Sequence, residues 1–108
     1  VNAVGESKIW ESTTIFVQWD DWGGFYDEVA PPFEDYDGLG LRVPLLVISA
    51  YAKHGHVSHV QYETASVLRF TEDIFGLRQL AAADKRATSP ADCFDFSRPP
   101  RKFIPIKT

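Results

Sequence analysis

The sequence predicts an α/β fold, and three stretches predict it. Residues 12–19 (Ser-Thr-Thr-Ile-Phe-Val-Gln-Trp) are dense in β-branched and aromatic side chains, which suit a pleated, packed surface. Residues 42–50 carry Val43, Leu45, Leu46, Val47 and Ile48 in a nearly continuous apolar run. After them Ala65, Leu68, Glu72 and Phe75, with Val67, Thr71 and Ile74 beside them, repeat at helical spacing.

The first stretch reads as a strand that Gly23-Gly24 must end. The second has the pattern of a strand buried on both faces, as in a parallel sheet covered by helices. Pro44 cannot donate to a ladder, so it belongs near the beginning of that strand. For the helix, Ser58 is the expected N-cap and Gln61 completes a capping box. Gly76 supplies a left-handed stop. Residues 1–8 read as the end of an earlier helix.

The expected order is helix, strand, long acidic loop, buried strand, helix and irregular tail. Two strands and one helix cannot cover both faces of a parallel sheet. The chain has no methionine either. Both features suggest a piece of a larger α/β domain, with residues 1–97 as the domain part and 98–108 as a basic, proline-containing tail.

Composition narrows the function classes. The chain has 108 residues, 24% of them charged, 44% hydrophobic and 14% aromatic, which fits an ordinary globular chain. A net charge of -4 argues against a nucleic-acid backbone as the main partner. No apolar run reaches the length of a transmembrane helix. The single cysteine, Cys93, sits in Asp92-Cys93-Phe94-Asp95, and acidic neighbours make a thiol a poor nucleophile. It reads as an inert packing residue.

Charge is concentrated unevenly. Asp20, Asp21, Asp27, Glu28, Glu34, Asp35 and Asp37 follow one another with no Lys or Arg between them. Trp19, Trp22, Phe25, Tyr26, Phe33 and Tyr36 are interleaved with them. The sharpest feature is Trp19-Asp-Asp-Trp-Gly-Gly-Phe-Tyr-Asp27. Asp20 and Asp21 stand at the C-terminal end of an apolar strand, where open α/β sheets place their ligands.

Consecutive side chains on a strand point to opposite faces, so the pair converges only where the chain turns at Trp22-Gly23-Gly24. There a divalent metal would relieve the repulsion between two hard oxygen donors. In a phosphoester site it would neutralise the phosphate. Gly23 and Gly24, lacking a Cβ, let the backbone approach a bound substrate group.

The same residues permit other readings. Asp-Asp-x-Gly-Gly is also a plain turn sequence, with aspartates accepting from nearby amides. Alternatively, the tryptophans stack sugar rings while two carboxylates act as acid and base, which requires a separation of about 5–9.5 Å. A non-enzymatic module binding calcium or a glycan through this acidic aromatic loop stays open as well.

His54, His56 and His59 cluster without a partner at a known metal spacing. His54 and His56 read as solvated loop residues. His59 is expected in the first helical turn, at the active edge of the sheet, as a catalytic contact to phosphate or metal. No Gly-x-Ser-x-Gly elbow, phosphate-binding Gly-rich loop or Cys-His nucleophile arrangement is present.

Thr14-Ile-Phe-Val-Gln-Trp-Asp-Asp-Trp-Gly-Gly-Phe-Tyr-Asp27 and Val29-Ala-Pro-Pro32 resemble the bacterial phosphoesterase family that contains phospholipase C and acid phosphatase enzymes. The likeness continues through Leu39-Gly-Leu-Arg-Val-Pro-Leu-Leu-Val-Ile-Ser49 and Val57-Ser-His-Val-Gln-Tyr-Glu63. It extends to Ser66-Val-Leu-Arg-Phe70, Glu72-Asp-Ile-Phe-Gly76 and Ala91-Asp-Cys-Phe-Asp-Phe96.

The resemblance implies an alkaline-phosphatase-like fold and metal-assisted hydrolysis of a phosphate ester or phospholipid, outside the cytoplasm (periplasmic or secreted). It implies that Asp20 and Asp21 are ligands of a divalent metal ion. It places the other ligands and the hydroxyl nucleophile N-terminal to the matched stretch, so the chain looks like the C-terminal part of such an enzyme and is expected to be inactive alone. Many members carry His after the Tyr-Asp, where this sequence has Glu28.

Overall fold

The computed structural model describes residues 1–107; Thr108, the last residue of the expected tail, lies outside the described residues. Helix α1 is Asn2–Gly5, strand β1 is Thr14–Gln18, strand β2 is Leu45–Ser49, helix α2 is Ala65–Phe75 and helix α3 is Ala82–Arg86. Short 3-10 turns occupy Trp10–Ser12 and Pro90–Cys93.

The two strands form one sheet, in antiparallel register, with Thr14 opposite Ser49, Phe16 opposite Val47 and Gln18 opposite Leu45. This corrects the expectation of parallel neighbours. Parallel strands need a crossover connection, usually a helix. The segment that joins β1 to β2 holds Gly23, Gly24, Pro31, Pro32, Gly38 and Gly40 and forms no helix. It turns the chain back alongside β1.

The expected double burial of β2 is also corrected. Phe16 and Val47 share one face, and by the period of two Val17 and Leu46 share the other. Phe16 meets Phe70 of α2 edge-on at 5.4 Å and Phe94 at 6.4 Å. Phe70 stacks on Phe94 at 4.8 Å, and Phe94 on Phe96 at 5.4 Å. This aromatic stack covers one side of the sheet. On the opposite side Leu46 stays 49% exposed.

Helix α2 begins later than expected. Thr64 is its N-cap residue and makes no side-chain capping bond. Ser58 is drawn elsewhere: its hydroxyl donates to Asp92 Oδ2 at 2.7 Å and lies 2.9 Å from the Tyr62 hydroxyl. Residues 58–64 therefore stay irregular, and the Ser58–Gln61 capping box does not form. The C-terminal stop is as expected, with Gly76 left-handed at φ 63°.

The buried residues of α2 are Ser66, Phe70 and Glu72, with Phe70 and Glu72 on nearly opposite sides of the helix. Leu68 and Phe75, which the helical spacing grouped with Glu72, are 39% and 72% exposed.

Glu72 and Asp84 are both buried where α2 meets α3. Asp84 accepts the Leu80 N–H at 2.6 Å, the Ala81 N–H at 2.9 Å and the Lys85 N–H at 3.0 Å. Those amides hold its carboxyl below the usual carboxylate range. Neither Glu72 oxygen receives a protein donor among the described residues. Burial first, and then Asp84, push the Glu72 carboxyl up. The two buried carboxyls are thus displaced in opposite directions, Glu72 upward and Asp84 downward.

The sign of the pH effect follows. Glu72 contributes fully below its unfolded pKa, and the contribution is lost as pH rises through the elevated folded value. Asp84 acts oppositely, losing its contribution as pH falls through its depressed value. Urea midpoints are expected to fall as pH rises above the ordinary carboxylate range, and Glu72→Gln is expected to flatten that decline. A flat wild-type profile would contradict the upward displacement of the Glu72 carboxyl.

The tail is tied to the body. Trp10 Nε1 donates to the Arg101 carbonyl at 2.7 Å, and the Arg101 N–H donates to the Ala50 carbonyl at 3.0 Å. The Asn2 side chain pairs with the Ile106 backbone through two 2.9 Å bonds. Phe103 packs edge-on against Trp10 at 5.0 Å, and a Cβ on Gly5 would fall on the Phe103 ring. Gly5→Ala is expected to cost about 1–3 kcal/mol by overpacking. Urea denaturation checks this, and an unchanged midpoint would refute the close approach.

Candidate functional site

Strand β1 ends at Gln18, and the Trp19 N–H makes a last contact to the Pro44 carbonyl at 3.4 Å. Beyond it Asp20 and Asp21 leave the ladder and are exposed. Asp21 Oδ1 accepts the Gly23 N–H at 2.6 Å, closing an Asx-type turn. Gly23 and Gly24 follow with φ 64° and 83°, a region that L side chains rarely adopt. No atom lies within 4 Å of a Cβ built on Gly24, so its requirement is conformational rather than steric.

Two of the other carboxylates of the loop, Asp27 and Asp35, are held by arginines. Arg42 grips Asp27 with two side-chain bonds of 2.7 Å and adds its backbone N–H at 3.2 Å. Arg42 holds the Asp27 carboxyl far below the usual carboxylate range. Arg86 reaches Asp35 at 2.5 Å and Glu63 at 2.9 Å and 3.0 Å, and it lowers the Asp35 pKa. The Arg42 clamp closes the loop on itself just before β2, and the Arg86 clamp ties it to α3 and to the segment before α2. Asp20 and Asp21 have no such partner: among the described residues neither forms an ion pair.

The acidic pair is a partial donor set. Among the described residues no third Asp, Glu, His or Cys joins it within metal-binding reach. His59 is exposed in the irregular segment before α2 rather than in a first helical turn, a correction that follows from the late helix start. His54 is exposed in its loop. A surface hollow of about 320 Å³ opens between α1 and the tail, and none of Asp20, Asp21, Gly23, Gly24 or His59 lines it.

One grouping was not legible in the sequence. His56, Asp92 and Cys93 come together, with ligand atoms all within 4.8 Å of one another. Burial first, and then Asp92, raise the Cys93 thiol pKa, in line with a quiet thiol in the absence of a cation.

The architecture is a small α/β unit whose strand end presents two consecutive carboxylates on a glycine turn. The phosphoesterase family model matches residues 1–78, which include β1, the acidic pair, β2 and α2. Phospholipase C B of Mycobacterium tuberculosis is 30% identical over 124 residues, spanning 90% of this chain and 24% of that protein. Hemolytic phospholipase C of Pseudomonas aeruginosa is 34% identical over 92 residues, spanning 65% of this chain and 13% of that protein. Non-hemolytic phospholipase C of Burkholderia pseudomallei is 31% identical over 96 residues, spanning 65% of this chain and 14% of that protein.

The chain belongs to the phosphoesterase family. It spans about a quarter or less of the length of these relatives. Among the described residues no helix is long and apolar enough to cross a membrane.

Proposed function

We propose that this chain supplies one part of the catalytic centre of a metal-dependent phosphate-ester hydrolase of phospholipase C type. The observation that carries the reading is the family match across an exposed aspartate pair set on a left-handed glycine turn. Asp20 and Asp21 offer hard oxygen atoms that would hold a divalent cation, and their freedom from arginine fits that task. When bound, the cation would supply charge neutralisation at the substrate phosphate.

Gly23 and Gly24 shape the backbone beside the substrate. Asp27, fixed by Arg42, holds the loop in place. His59 is proposed as a second contact to the phosphate, since its exposed imidazole is free to meet a ligand.

The nucleophile and the remaining ligands are proposed to come from residues beyond these 108, in an alkaline-phosphatase-like domain that also covers the open face of β2. Residues 1–97 would be one part of that domain, with the basic tail after them. The 108-residue chain alone is then expected to show little or no turnover. An extracytoplasmic location fits the same reading.

The test is hydrolysis of phosphatidylcholine vesicles by the protein at its native length. Release of phosphocholine, abolished by a chelator and restored by divalent metal, supports the proposal. Release of inorganic phosphate from monoesters alone would move the assignment to a phosphatase. Chelator-insensitive activity, or none on either substrate, would overturn it.

A further inference from the structure

The loop after β2 and the turn at Pro90–Cys93 build a second constellation of ligand atoms. His56 Nε2 lies 3.6 Å from Asp92 Oδ2, and Cys93 Sγ lies 3.9 Å from Asp92 Oδ1. Backbone contacts fix the two segments to each other. The Lys53 N–H donates to the Cys93 carbonyl at 2.8 Å, the Asp95 N–H donates to the Tyr51 carbonyl at 2.9 Å, and Ala52 bridges Phe94. Asp92 is oriented by two hydroxyls, Ser58 on Oδ2 and Tyr62 on Oδ1.

We propose that His56, Asp92 and Cys93 form a binding site for zinc or a comparable borderline divalent cation, separate from the acidic pair. Zinc accepts nitrogen, oxygen and sulfur ligands at about 2.0–2.3 Å, which sets tetrahedral ligand atoms about 3.5 Å apart. With a single Asp92 oxygen as ligand, the three atoms lie within 4.8 Å of one another, and side-chain shifts of about 1 Å bring them to that spacing.

A thiolate and a carboxylate together balance a dication, and the imidazole completes three protein ligands, leaving a fourth position open to water. Thiolate and imidazole favour zinc over magnesium or calcium, the hard cations suited to Asp20 and Asp21. The two hydroxyls on Asp92 are the kind of outer support that aligns a ligating carboxylate. Binding forms a sulfur–metal bond, breaks the S–H bond and releases that proton to solvent.

Cys93 is the only cysteine of the chain, so its thiol is an unambiguous reporter. The experiment titrates the 108-residue chain with zinc while following alkylation by iodoacetamide, and with cobalt while following thiolate-to-metal charge-transfer absorption. Zinc is expected to slow alkylation at least about tenfold, and cobalt to produce the charge-transfer band.

Cys93→Ser is expected to abolish the band. His56→Ala, at an exposed position whose loss leaves the packing intact, is expected to weaken affinity at least about tenfold. Asp20→Asn combined with Asp21→Asn is expected to leave both signals unchanged. Absence of the band in the wild-type chain would overturn the site. So would an affinity that His56→Ala leaves unaltered, or a signal that vanishes with the Asp20 and Asp21 substitutions.

Discussion

Asp20→Asn and Asp21→Asn are each expected to lower phosphodiester hydrolysis by the native-length protein at least about a hundredfold. A bound metal stabilises transition-state charge by several kcal/mol, and about 1.4 kcal/mol corresponds to a factor of ten in rate. Asparagine keeps the size of the side chain and retains a carbonyl oxygen that can accept the Gly23 N–H, the bond that Asp21 makes at 2.6 Å. The turn therefore survives while the charge is lost. Both positions are exposed, so stability is expected to change by no more than about 0.5 kcal/mol. Steady-state kinetics alongside urea denaturation separate the two effects. Activity within a few-fold of wild type would remove the acidic pair from the chemistry.

Phe94→Ala is expected to destabilise the chain by about 3–5 kcal/mol. Phe94 is 5% exposed and stands at the centre of the aromatic stack, touching Phe16, Phe70 and Phe96. Its removal takes away large apolar burial and the ring–ring contacts that add about 0.5–1.5 kcal/mol per pair. Few other large side chains are buried: Trp10 and Phe70 are the remaining aromatics of the core. With total stability of ordinary domains near 5–15 kcal/mol, a loss of this size is a large share of the whole. Phe94→Leu, which keeps most of the volume, is expected to cost clearly less. Thermal and urea unfolding of both variants test this, and a loss below about 1 kcal/mol for Phe94→Ala would contradict the assigned core.

Local features were legible in the sequence because local chemistry decides them. The β-branched run gave β1, Gly76 stopped α2, Gly23-Gly24 set the turn, and Asp20-Asp21 marked the strand end. Features decided by distant residues were not. Ser58 reads as a helix cap until Asp92 takes its hydroxyl. The direction of β2 depends on the route of the loop before it, which no periodicity reveals.

Helical spacing placed Leu68 and Phe75 with Glu72, yet Glu72 is the buried member because Asp84 waits opposite it. His56 and Cys93 each look unremarkable alone, and the backbone pairing of residues 51–53 with 93–95 sets them side by side. The apolar run of β2 reads as a demand for cover on both faces. Leu46, left open, shows that the demand is unmet within these residues.

Anomalous diffraction from crystals of the native-length protein grown with manganese tests the central claim most directly. One manganese peak should lie within about 2.0–2.6 Å of a carboxylate oxygen from each of Asp20 and Asp21. A well-occupied manganese bound elsewhere, with Asp21 still turned onto the Gly23 amide and Asp20 free in solvent, would contradict the account.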